Sequence, residues 1–197
     1  MREKKVRLTF TEEVLGTASA NPEIHAEYIA SKAPDAPSRE EEVEALGVDE
    51  VIEKQKTIFP KDENGNPFLW DYQIKGFFKS AAQAGSYIGG DKKLPAYKKK
   101  IDLLVFVNER RIPMVMPEGG KIGSCQRPLR AQTMQGERVA LADSETVPAG
   151  TTIEFTIKVL EDKLMSYVED WLNYGSLNGI GCWRNSSKGR FTWEEIG

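Results

Sequence analysis

The sequence predicts an α+β domain in which an antiparallel sheet carries two helices on one face. Three observations predict it. Val6, Leu8 and Phe10 alternate with Arg7 and Thr9, and Ile153, Phe155, Ile157 and Val159 alternate with Glu154, Thr156 and Lys158. Period-two patterning of this kind marks half-buried strands. Two other segments, 72–86 and 164–175, repeat their apolar residues at helical spacing. Each helical pattern follows one of the alternating segments, and a further strand pattern follows each helix.

The elements run in this order. The first strand, 6–10, leads into Val14–Ser19. Residues 20–57 change character, with Pro22, Pro34 and Pro37 ahead of an acidic stretch. Ser38 and Glu41 fit a capping box that opens a short helix, and a second helix is expected from Val48 to Lys56. Ile58 to Trp70 reads as a hairpin, because Asn64-Gly65 is a strong turn signal between apolar flanks. In the helix from Tyr72 to Ser86, Ile74, Phe77, Phe78 and Ala81 mark the buried face, and Gly85, Gly89 and Gly90 end it. Ile101–Val107 is expected to be a central strand. Residues 108–136 read as an irregular basic excursion, and a short strand is expected at Arg138–Leu141. Val147–Thr151 is a turn before the strand 153–159, and Asp162 is placed to cap the second helix. A glycine-rich loop, Gly179-Ile-Gly-Cys-Trp-Arg-Asn-Ser-Ser-Lys-Gly-Arg190, then precedes a last strand, Phe191–Trp193.

Without the excursions at about 20–57 and 108–136, the order is strand–helix–strand–strand–helix–strand. That is the ferredoxin-like, or split βαβ, order used by RNA-recognition modules and by many unrelated proteins. Residues 1–197 are therefore read as one domain with two insertions.

Composition excludes several classes. A hydrophobic fraction of 40% and a charged fraction of 29% are those of a soluble globular protein. No apolar run approaches the roughly 20 residues of a membrane span. The charged start has no apolar stretch behind it, so no secretory signal is expected and the cytoplasm is the natural setting. Cys125, Cys182 and the single histidine, His25, give no zinc pattern. No metal or cofactor is expected.

The net charge of −3 hides an asymmetry. Residues 39–53 carry seven acids against Arg39, a local net of −6. Residues 75–138 carry thirteen bases against five acids, a local net of +8. A basic middle on an acidic chain points to a localised anion-binding surface. Lys75 and Lys79, four apart near a helix start, add to the positive end of its dipole and suit phosphate. Arg127 and Arg130 lie in the basic excursion, and Arg184, Lys188 and Arg190 in the glycine loop. The loop and the helix start are expected to fold up as neighbours on one polyanion. No aromatic pair falls on the polar face of the two clear strands, so contact through phosphates is expected in place of base stacking. Trp183 reads first as an anchor pinning the loop to the core, and second as a ring that could stack on a base or wedge beside one. One histidine supplies only one candidate base, and no Ser/His/Asp set can be argued around it.

Ile74-Lys-Gly-Phe-Phe-Lys-Ser-Ala-Ala82, Glu145-Thr-Val-Pro-Ala-Gly-Thr151 and the loop Gly179–Arg190 resemble the RAMP superfamily, the RNA-binding proteins of CRISPR effector complexes. The first resembles that family's helix start, a small-residue turn, Leu-Lys-Gly and a following base. The second resembles the entry to the second half of its fold, and the third its C-terminal glycine-rich loop. The likeness spans roughly 6–19, 58–107 and 137–194, and is nearest to the backbone subunits that coat guide RNA. It implies single-stranded RNA, or else single-stranded DNA, as partner. It also implies contact through Lys75, Gly76 and Lys79, self-association along the strand, and CRISPR effector subunits as further partners. The chain departs from the pattern: it is short, and Asp71-Tyr-Gln-Ile74 replaces the usual Pro-Gly-Ser. A stand-alone or virus-encoded relative suits these departures. Such a chain could instead mimic or join an effector complex and block it. Some RAMP endonucleases use a histidine near the first helix, which makes His25 the candidate general acid–base of a third alternative, RNA cleavage.

Overall fold

The computed structural model describes residues 1–19, 56–133 and 136–197. The acidic stretch 39–53, the helices expected after Ser38 and Val48, and His25 lie outside these residues. The chain is α+β and divides into two compact units. The first comprises Met1–Val14, Pro60–Lys121 and Val147–Gly197; the second comprises Leu15–Phe59 and Ile122–Thr146.

The first unit is built on four antiparallel strands: β1 (Arg2–Phe10), β6 (Val105–Val107), β10 (Thr152–Val159) and β11 (Phe191–Glu195). Their order across the sheet is β11-β1-β10-β6. Register pairs Val6 with Phe155, Leu8 with Ile153 and Phe10 with Phe191, so the alternating apolar residues share one face. All six are essentially inaccessible to solvent. Two helices cover that face. Helix α1 (Asp71–Ile88) buries Ile74, Phe77, Phe78, Ala81 and Ala82. Helix α3 (Leu164–Tyr174) buries Leu164, Met165, Val168, Trp171 and Leu172. Phe78 and Trp171 meet between the helices with ring centroids 5.6 Å apart.

The open face of the sheet is a lattice of ion pairs. Arg7 bridges Glu154 at 2.7 Å and Glu194 at 3.1 Å, and Lys158 reaches Glu3 at 3.0 Å. The hydrogen bond from Arg7 holds the Glu154 carboxyl below its ordinary range. Glu109 accepts from both the backbone N–H and the hydroxyl of Thr156, at 2.7 and 2.8 Å.

Several expectations need correction. Ile101–Val107 is not a central strand. Tyr97–Leu104 forms a helix, α2, and only Val105–Val107 is extended, at the sheet edge. Tyr97, Ile101 and Leu104 fall at i, i+4 and i+7, so a helix buries Ile101 while Leu103 stays 67% exposed. The excursion 108–136 is not irregular. It contains β7 (Arg111–Pro113), which pairs with β5 (Phe68–Trp70), and β8 (Gly123–Thr133). In the second unit, β8 pairs with β9 (Gly136–Val147), whose first half includes the expected strand at 138–141. Pro128 is compatible with β8 because that strand is bonded to β9 alone among the described strands. The sheet of that unit also takes in β2 (Val14–Leu15), β3 (Ala18–Ser19) and β4 (Thr57–Ile58).

The turn at Asn64-Gly65 forms, with Gly65 at φ +80° and Asp62 accepting from the N–H groups of Asn64 and Asn66. Its flanks pair close to the turn, where Lys61 bridges Pro67 and the Phe68 N–H donates to the Pro60 carbonyl at 3.0 Å, and diverge further out: β4 pairs with β3 and β9, whereas β5 pairs with β7. Asp162 does not cap α3. The capping position is Lys163, which makes no side-chain cap, and Asp162 pairs with the N-terminal amine at 3.3 Å.

Phe191 packs against rings from two other elements of the first unit. Its ring lies 6.1 Å from that of Phe10 and 5.2 Å from that of Phe77, and it is fully buried. Phe191→Ala is expected to cost about 3–5 kcal/mol. The midpoint of urea unfolding, followed by tryptophan fluorescence, would measure the loss.

Candidate nucleic-acid interface

The C-terminal loop is shaped by close contacts of the chain with itself. Gly175 ends α3 under Phe191: a Cβ there would stand 2.1 Å from the ring. The Phe191 N–H donates to the Gly175 carbonyl at 3.1 Å. The neck of the loop is narrower still. A Cβ on Gly179 would stand 1.8 Å from the Gly189 carbonyl oxygen, and one on Gly189 would stand 1.8 Å from that of Ile180. Ile180 N–H closes the neck on Gly189 at 3.0 Å. These glycines therefore serve backbone-to-backbone approach within the chain.

The loop also docks on the turn after β1. Gly189 N–H donates to the Glu13 carbonyl at 2.9 Å, and Thr11 N–H donates to that of Arg190 at 2.9 Å. Lys188 pairs with the Glu13 carboxylate. Arg184 opens a short 3-10 turn, Arg184–Ser186, and makes no ion pair among the described residues. The Nε of Arg190 is buried without a hydrogen-bond acceptor among the described residues. Trp183, expected as an anchor, keeps 37% of its surface open at φ +59°.

Lys75 and Lys79 lie on a flank of α1 that faces α2 and β6. Lys79 pairs with Asp102 at 2.6 Å. Lys75 donates to the Asp102 carbonyl at 3.4 Å and stands 4.9 Å over the ring of Phe106. Gly76 is open, with nothing within 4 Å of where a Cβ would stand. The other flank of α1 carries Phe77, which touches Phe191 in β11. Because β6 and β11 are the two edges of the sheet, the helix-start lysines and the C-terminal loop lie toward opposite edges. Three strand spacings separate such edges by about 14 Å. The structure thus groups Lys75, Gly76 and Lys79 at one edge and Arg184, Lys188 and Arg190 at the other, not as immediate neighbours.

Arg127 lies in β8 of the second unit and is only 9% exposed. Arg130 lies three residues further along the same strand.

The sequence reading missed a cluster beside the helix start. Phe68, Trp70 and Tyr72 alternate along β5 into α1, and the pair Arg110-Arg111 meets them from β7 and the turn before it. Trp70 and Arg111 are cross-strand partners. The alternation was a legible signal; what it would meet was not, since the arginines lie some forty positions further on.

Among the described residues, no group of three or more His, Cys, Asp and Glu side chains could hold a metal ion. No described helix is long and apolar enough to cross a membrane.

No protein-family model matches the chain, and no curated protein matches it. Solved structures do. A chain of the type III-B Cmr-beta complex bound to cognate target RNA superposes with a TM-score of 0.51 at 11% identity, covering 100% of this chain and 60% of that one. A chain of a type IV-B CRISPR complex gives a TM-score of 0.49 at 8% identity, covering 100% of this chain and 91% of that one. This chain therefore spans about three-fifths of the length of the Cmr-beta chain. The likeness to the Cmr-beta chain is one of fold.

Gly189→Ala tests the neck of the loop. It forces a side chain into φ +69° and against a carbonyl, and is expected to cost on the order of 3 kcal/mol. The thermal midpoint by circular dichroism checks it, with the exposed Gly76→Ala as the comparison.

Proposed function

We propose that this chain binds single-stranded nucleic acid, RNA above all, as a relative of the backbone subunits of CRISPR effector complexes. The observation that carries the proposal is the likeness of fold, over the whole chain, to a chain of an effector complex bound to target RNA. The strand order β11-β1-β10-β6, with helices after the first and third of these strands in sequence, supports a ferredoxin-like core.

The chemistry is electrostatic in the first instance. Lys75 and Lys79, with Gly76 open between them, would take phosphates at one edge of the first unit. Arg184, Lys188 and Arg190 would take them at the other. In the second unit, β8 carries Arg130 as a further candidate, whereas Arg127 is buried. That Lys79 is ion-paired does not oppose this. An exposed pair such as Lys79–Asp102 is worth about 0–1 kcal/mol, so a phosphate can displace that carboxylate at little cost, whereas the part-buried Lys188–Glu13 pair would resist exchange more. The proposal is one of binding, without a catalytic step.

Self-association and docking with effector subunits belong to the same proposal. Tyr87, Ile88 and Leu177 are 84%, 76% and 66% exposed. Ile88 and Leu177 border a groove of about 240 Å³ between α1 and α3. Apolar surface grouped in this way favours contact with another protein chain.

Two measurements test the proposal. Affinity for a short single-stranded RNA is expected to fall steeply with salt, by about 300-fold or more between 50 and 200 mM if six or more phosphates are engaged. Titrations by fluorescence anisotropy that gave the same affinity at both salts would overturn it. Light scattering is expected to show a rise in mass to multiples of the 22.1 kDa chain when RNA is added. A particle holding one chain at every RNA length would remove self-association along the strand.

A further inference from the structure

The cluster at the start of α1 has a composition that phosphate binding alone does not require. In the ladder of β5 and β7, Leu69 and Ile112 face inward and are buried. Phe68, Trp70 and Arg111 take the other face. The Arg111 guanidinium stands 5.5 Å from the Phe68 ring and 5.6 Å from the Trp70 ring. Arg110 stands 5.2 Å from Trp70 and pairs with Asp71. The Arg110 carbonyl accepts the Asp71 N–H at 3.3 Å, which ties the turn to the helix start. Tyr72 lies nearly parallel to Trp70, at 15° with centroids 6.4 Å apart, and is 57% exposed. One turn along α1, Lys75 covers the ring of Phe106, which is 39% exposed.

Two aromatic side chains are thus held open to solvent, and cations stand beside them on rings. A guanidinium held beside a ring gains a favourable cation–π contact, and its N–H edges remain available to an anion. The nearby carboxylates, Asp71 and Asp102, are engaged with Arg110 and Lys79, which leaves an excess of positive charge from Lys75 and Arg111. Planar faces next to fixed cations match a polymer whose bases are unstacked and whose links are anionic. A duplex cannot offer its base faces, so it would use only the cations.

We propose that Tyr72 and Phe106 form a stacking platform for unpaired bases of single-stranded RNA, with Lys75, Arg110 and Arg111 on the flanking phosphates. This rests on the function proposed above and adds a second mode of contact to it, with Phe106 standing at the β6 edge of the sheet as the cross-strand partner of Lys158.

Anisotropy titrations with labelled oligo(rA) and with an abasic ribose-phosphate strand of equal length separate the two modes. Tyr72→Ala is expected to weaken oligo(rA) binding about tenfold, to leave the abasic strand unaffected, and to be rescued by Tyr72→Phe. Phe106→Ala should behave like Tyr72→Ala, so a folding defect in one variant does not decide the matter. If wild-type protein binds oligo(rA) but neither variant alters its affinity, the platform is wrong while the phosphate contacts stand. Equal losses on both strands would also overturn the platform. If wild-type protein binds neither strand, the proposed function itself fails and takes the platform with it. If Tyr72→Ala spares oligo(rA) and abolishes capture of an effector subunit, the surface serves a protein and the inference is refuted.

Discussion

The seating of Phe191 on Gly175 is the contact on which the arrangement of the first unit depends. The ring touches Phe10 in β1 and Phe77 in α1, and it occupies the space that a side chain on Gly175 would take. One residue therefore joins β11, β1, α1 and the end of α3. It also decides where the C-terminal loop lies. With Phe191 tied to Gly175 by a backbone hydrogen bond, and Gly179 pressed on Gly189, the loop has little choice but to close on itself beside β11. Its cations go with it to that edge.

Helix α1 divides the surface in the same way. Phe77 turns toward β11, while Lys75 and Lys79 turn toward α2 and β6. A helix that buries a stripe of Ile74, Phe77, Phe78 and Ala81 has two flanks, and residues on opposite flanks of a sheet-packed helix meet opposite sides of the sheet. On the sheet face away from the helices, Phe106 stands at the β6 edge beside its cross-strand partner Lys158. The charges of that face are satisfied among themselves, through Arg7, Glu154, Glu194, Lys158 and Glu3.

Where periodicity was long and unambiguous, the sequence was readable: β1, α1, β10 and α3 fall where their patterns put them. Shorter apolar runs were not. Ile101-Asp-Leu-Leu-Val-Phe-Val107 satisfies a strand and a helix about equally, and the chain uses it for both, a helix to Leu104 and three extended residues after it. Residues 108–136 concealed two strands because proline and glycine punctuate them, and pairing partners far away in sequence decide such cases. The glycine loop was legible as a turn, but not in purpose. Glycine permits approach to a ligand and to the chain's own backbone alike, and the contacts of Gly179 and Gly189 are of the second kind. The aromatic corner escaped because Phe68 and Trp70 were assigned to a hairpin and Tyr72 to a helix, which split one surface between two elements.

Charge alone does not choose between the two edges. At the helix start, Lys75, Lys79, Arg110 and Arg111 face Asp71 and Asp102; at the loop, Arg184, Lys188 and Arg190 face Glu13. Each set is left with the same net positive charge, and each contains an ion pair that a phosphate could exchange. The asymmetry lies in what stands beside the cations. At the loop, one tryptophan is partly open, on a backbone already strained at φ +59°. At the helix start, two exposed rings sit on a regular helix and a paired strand, with guanidinium groups oriented by further rings beneath them. Preorganised planar groups lose less entropy on binding than a mobile side chain does. A single strand engaging both edges would therefore be held by phosphate at the loop and by phosphate and base together at the helix start, so the helix start would set its preference for unpaired polymer.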